Sequence, residues 1–180
     1  MPILRLSRVL TERPDPAKAA PQATGHFRCR NYEGPQDIAA WLQVRREALA
    51  HLHQTGREWT AADFHREFLQ QPWWEPQRMW FALPATGEEQ PQPSASVPMG
   101  TVCLAVRQSG GVPRAVLGWL LVRPAWQRRG VGRLLLSLAE QAAWDAGARQ
   151  VHLETHAAWH AAVAFYRRAG YAPADAPPGR

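Results

Sequence analysis

No apolar run in this sequence approaches the ~18–20 residues that a membrane-crossing helix needs, so no span of a bilayer is expected. Met1 to Leu10 sets Arg5 and Arg8 among apolar residues and has neither a continuous apolar core nor a small-residue cleavage site. That argues against a secretory signal and for a cytoplasmic protein. Cysteine is scarce. Cys29 and Cys103 each stand in an apolar, strand-like stretch, with no second Cys or spaced His beside them, which points to buried free thiols rather than disulfides or zinc. The seven histidines also lack metal-ligand spacing on a shared helix, since a strand end is expected between His156 and His160. Nor does the net charge of +6 gather into a basic stripe with interleaved aromatics, the pattern of a nucleic-acid groove. Its densest cluster, Arg123 with Arg128, Arg129 and Arg133, surrounds a glycine pair and suits a compact polyanion such as a pyrophosphate.

What is present fits one domain: 180 residues, 46% of them hydrophobic, enough to cover one sheet with helices on both faces. Residues 1–25 read as an N-terminal arm, because 11–25 are rich in Pro and Ala without periodicity, and residues 26–180 read as the domain. Phe27 to Tyr32 is a strand candidate, and Gln36 to Leu52 carries apolar residues at helical spacing. Thr60 and Asp63 make a capping-box-like start for a second helix that Pro72 closes. Arg78 to Leu83 reads as a strand, 84–98 as a long polar loop, and Gly100–Arg107 with Arg114–Val122 as a hairpin about Ser109-Gly110-Gly111. Arg129 to Ala146 is helical with an apolar stripe at Val131, Leu134, Leu135, Leu138 and Ala142. Gln150 to Thr155 is a strand and Ala158 to Ala169 a helix stopped by Gly170. The class is α/β: a mixed sheet flanked by helices, a hairpin run followed by a strand–helix–strand crossover.

The informative stretch runs from Leu121 and Val122 through Gln127-Arg-Arg-Gly-Val-Gly-Arg133. An apolar strand ends, a loop with Gly130 and Gly132 follows, and a helix starts at once. Glycines let backbone approach a ligand, and the first N–H groups of a helix lack internal partners at its positive end. With Arg128, Arg129 and Arg133 nearby, a pyrophosphate is the natural occupant; the bland alternative is a sharp turn with solvated arginines. A dinucleotide-binding fold is disfavoured, since Gly130-Val-Gly132 lacks a third glycine.

On these residues the sequence resembles the GCN5-related N-acetyltransferase (GNAT) family. Gln127, Gly130 and Gly132 match its Gln/Arg-x-x-Gly-x-Gly/Ala pattern. Val151-His-Leu-Glu-Thr155 followed by Phe165-Tyr166 and Gly170-Tyr171 resembles its next strand and last conserved helix. The two motifs cover about residues 114–172. The resemblance implies an acetyl-CoA-dependent transfer to an amine acceptor by direct attack. CoA would be held by Leu121, Val122, Gln127, Arg128, Arg129, Gly130, Val131, Gly132, Arg133, Trp159 and Phe165. It implies Tyr166 as proton donor to the leaving thiolate and Glu154 as base, with His152 and His156 as alternatives. It also implies a bulge around Leu120 to Val122 that frees a backbone N–H for the oxyanion.

Two departures stand out. Where the family commonly has Asn, seven residues before the tyrosine, this sequence has Trp159, which makes a non-catalytic CoA-binding module the rival reading. Family members also continue past the final helix with two strands. Here three prolines lie in the ten residues from Tyr171, so one short strand at most is expected. Ile3 to Leu10 is the candidate to dock on the edge so exposed, within one chain or across a homodimer. Trp59, Trp73, Trp74 and Trp80 are expected in core and rim packing rather than as an acceptor wall.

Overall fold

The structure, a computed structural model, describes residues 2–20, 26–50, 57–85 and 97–174. The long loop expected over 84–98 falls mostly outside them. Among the described residues the strands are β1 (Ile3–Val9), β2 (Phe27–Asn31), β3 (Met79–Pro84), β4 (Gly100–Ser109), β5 (Val112–Val122), β6 (Gln150–His156) and β7 (Ala172–Pro173). Their order is β2-β3-β4-β5-β6-β1-β7, with β5–β6 parallel and the other pairings antiparallel. The helices are α1 (Pro16–Ala19), α2 (Gln36–Ala48), α3 (Ala61–Phe64), α4 (Val131–Asp145) and α5 (His160–Arg168). Gly110 and Gly111, at φ 59° and 80°, turn β4 into β5 as a two-residue hairpin requires.

Strand alternation sorts the core onto two faces. Trp80, Ala82, Val102 and Leu104 pack toward α4 and α5, whereas Met79, Phe81 and Cys103 pack toward α2 and α3. On α4 the fully covered stripe is Val131, Leu135, Leu136, Ala139 and Ala143. Leu134, Leu138 and Ala142, expected on that stripe, are half-buried beside it. Asp63 accepts hydrogen bonds from the Thr60 N–H at 2.9 Å and hydroxyl at 3.0 Å, closing the start of α3.

The segment read as an arm begins as sheet. Ile3–Val9 lies between β6 and β7, so the docking expected of Ile3 to Leu10 takes the form of a strand within the chain. Burial is the reason: Leu6 is 0% exposed and Leu10 4%. Arg8 donates at 2.9 Å to both oxygens of buried Glu140 on α4, and the Tyr171 hydroxyl donates to the same carboxylate at 3.0 Å. Beyond β1, Arg13 pairs with Asp145 at 2.7 Å and the Pro14 carbonyl accepts from Gln141 at 3.1 Å, which lays α1 along α4. The tail adds the two-residue β7 on the far side of β1. Leu6→Ala is expected to cost about 2–5 kcal/mol, the range for a buried Leu truncation, read as a lower urea midpoint at unchanged m-value.

Candidate active site

The loop between β5 and α4 presents bare backbone. Arg128 (φ 61°) and Gly130 (φ 89°) both take left-handed backbone, and no side chain caps α4, so its first N–H groups remain available. Gln127 braces the loop by donating to the Val122 carbonyl at 3.2 Å. Val131 is fully buried and offers only backbone. A Cβ at Gly132 would lie 3.5 Å from Val122 Cγ2 and 3.6 Å from the Phe165 ring, which sets α5 against the start of α4. The Arg129 guanidinium stands 5.0 Å from the Trp126 ring. Arg133 turns toward α1, where its Nε donates to the Ala19 carbonyl at 3.3 Å.

Above this loop two strands part. β5 and β6 pair only from Ala115 to Leu117 against Val151 to Leu153. On the other edge of β5, Thr101 pairs with Leu121 but Cys103 with Gly118, so Trp119 and Leu120 together oppose Val102. This is the bulge, centred slightly earlier than the expected Leu120 to Val122. Trp119 adopts φ 54°, strained for a tryptophan, and its surroundings hold it there. Its ring lies 4.8 Å from Trp59 and 5.3 Å from Trp41, and its Nε1 donates to Glu67 at 2.9 Å.

A cleft of about 610 Å³ opens on the sheet face that α2 and α3 leave uncovered. Tyr166, Trp159, Leu121 and Glu154 line it. Tyr166 is 8% exposed, and burial pushes its phenol well above the ordinary range, so it stays protonated. Glu154 is half exposed and takes a hydrogen bond from Arg5 at 2.9 Å. His152 and His156 each keep a buried Nδ1 without a partner among the described residues. Burial, with Arg114 nearby, holds His152 below its usual value, and the Trp159 ring lies 4.5 Å from His156. Cys103 also lines the cleft, but burial pushes its thiol far up, which leaves no thiolate nucleophile there.

Of the four tryptophans named from the sequence, Trp73 lines the cleft. Trp59 and Trp74 pack in the aromatic cluster beside α2, and Trp80 in the core under α4. Sequence reasoning passed over Glu67, Trp119, Arg107 and Arg114, all of which face the cleft. Glu67 lies in a π-helical turn, His65–Leu69, that continues α3, and no local pattern announces such a turn.

A family model described as the Acetyltransferase (GNAT) family matches residues 41–171. The chain is 30% identical over 174 residues to the mycothiol acetyltransferase of Jonesia denitrificans, covering 96% of this chain and 52% of that protein. It is 34% identical over 156 residues to the mycothiol acetyltransferase of Cellulomonas flavigena, covering 85% and 42%. The chain thus spans about half the length of the curated relatives it matches. A solved GCN5-related N-acetyltransferase from Sphaerobacter thermophilus superposes with a TM-score of 0.68 at 20% identity, over 96% of this chain and 48% of that one. At that identity the likeness is one of fold.

Proposed function

The chain belongs to the acetyltransferase (GNAT) family, and from that premise we propose that it transfers an acetyl group from acetyl-CoA to an amine by direct attack. One observation carries the reading: β5 bulges just past the end of its pairing with β6 and runs on into an uncapped helix N-terminus, with a buried tyrosine lining the cleft. The left-handed Arg128 and Gly130 and the free N–H groups of α4 fit a pyrophosphate, with Arg129 adding charge beside them. Leu121 and Val122 offer backbone to the pantetheine arm, and Trp159 and Phe165 flank it from α5. Bound acetyl-CoA supplies the activated acyl group. Backbone at the bulge faces the developing oxyanion, and Tyr166 holds a proton for the departing sulfur.

Because an amine is mostly protonated near neutral pH, a base must act. Glu154 takes that role, its carboxylate oriented by Arg5 at 2.9 Å, with His152 and His156 as the alternatives on the same strand. We read a cytoplasmic enzyme acting on a small-molecule or peptide amine rather than on nucleic acid or membrane. The two curated relatives make a mycothiol-type acceptor the first to try. In an amine panel, free-thiol release should require both acetyl-CoA and an amine. Acetyl-CoA binding without transfer to any amine would instead favour the non-catalytic module that Trp159 suggests. Glu154→Gln is expected to lower the rate about a hundredfold, most at low pH where the base is needed, and an unchanged pH profile would remove it from the role.

A further inference from the structure

The acceptor cleft is charged unevenly along its length. At the bulge end, Glu67 is half-buried, its carboxylate oriented by the Trp119 N–H at 2.9 Å, and no cation pairs with it among the described residues. The Trp119 indole that holds it stands in the cleft wall. A carboxylate without a counter-ion, beside an indole ring, suits an ammonium group.

The other end is cationic. Arg107 on β4 and Arg114 on β5 are direct cross-strand partners and both line the cleft. Like charges facing each other in this way destabilise a sheet, and a guanidinium cannot shed its proton to relieve them. Neither meets a carboxylate among the described residues. Arg107 lies 5.8 Å from the Trp73 ring, and the buried Nε of Arg114 has no partner. The nearby carboxylate, Glu154, is already engaged by Arg5. Between Gly118, beside the bulge, and Arg114 the strand advances four residues, about 13 Å at ~3.3 Å each.

We propose that the acceptor is dipolar: an amine that also carries a carboxylate or phosphate several bonds away. Glu67 draws its ammonium to the bulge end of the cleft that Glu154 also lines, where the base takes the proton before attack, and its acid group lies between Arg107 and Arg114. The inference rests on the transfer reading above and names the substrate class of that site.

The test uses the full chain saturated with CoA, so that the arginines near the α4 loop are occupied. Calorimetry compares matched pairs long enough for that span, tetraglycine with its C-terminal amide and 6-aminohexyl phosphate with 6-aminohexanol, and the same compounds then serve as acceptors in thiol release. The acid member of at least one pair should bind about tenfold tighter or better, and the pair with the larger ratio tells carboxylate from phosphate. Arg114→Gln and Arg107→Gln should erase that preference, while Arg114→Lys should retain part of it. Glu67→Gln should weaken both members of a pair and raise KM more than it lowers kcat. Equal binding within both pairs, or a preference that survives Arg114→Gln, overturns the anion site, and unchanged binding by Glu67→Gln overturns the ammonium site. Selective binding without any thiol release leaves this inference standing and overturns the catalytic reading. Thiol release with no acid preference does the reverse.

Discussion

Gly132→Asp is expected to abolish acetyl-CoA binding, by more than about a hundredfold in calorimetry, or some 3 kcal/mol. Gly132 is the second residue of α4, within the turn whose N–H groups have no side-chain cap. A Cβ there meets Val122 and the Phe165 ring at ordinary van der Waals distance, so the protein itself tolerates a side chain at this position. The loss therefore comes from what the side chain does to a ligand: it occupies the cradle and sets a negative charge where a pyrophosphate must lie. An acid in the first turn also favours a helix, so the melting temperature should hold or rise while binding is lost. Gly132→Ala separates size from charge, with a smaller loss expected. Unchanged affinity in the Asp variant would place the pyrophosphate elsewhere.

Tyr166→Phe should lower kcat by about a hundredfold or more while leaving KM for acetyl-CoA nearly unchanged, as removal of a proton donor in the transition state does. The ring keeps its edge contacts with Phe165 at 5.3 Å and Tyr171 at 5.7 Å, so folding is spared. Because burial raises the phenol far above its ordinary range, Tyr166 holds its proton throughout the neutral region. Any fall in rate from its ionisation should accordingly lie on the alkaline side, beyond the usual tyrosine value. Equal turnover by the variant would leave Tyr166 as a packing residue.

Much of this was legible in the residues themselves, because the signals are local. Apolar spacing marks α2, α4 and α5, paired glycines mark the β4–β5 turn, and Gln127 with Gly130 and Gly132 marks the loop between β5 and α4. Each is set by backbone sterics or by hydrogen bonding within a few positions. The tertiary structure decided the rest. Ile3 to Val9 has a spacing that also fits a helix, and it is a strand because β6 and β7 supply its hydrogen bonds. The bulge centres on Trp119 because an aromatic cluster and Glu67 hold that side chain. Arg5 reaches Glu154 across 149 positions of sequence, and Arg107 meets Arg114 only through strand register. Sequence periodicity carries no information about which charge faces which across a sheet. The backbone of the β5–α4 loop, the proposed anion site, was therefore set by the sequence alone, whereas the electrostatics of the proposed acceptor cleft arose only when distant strands were brought side by side.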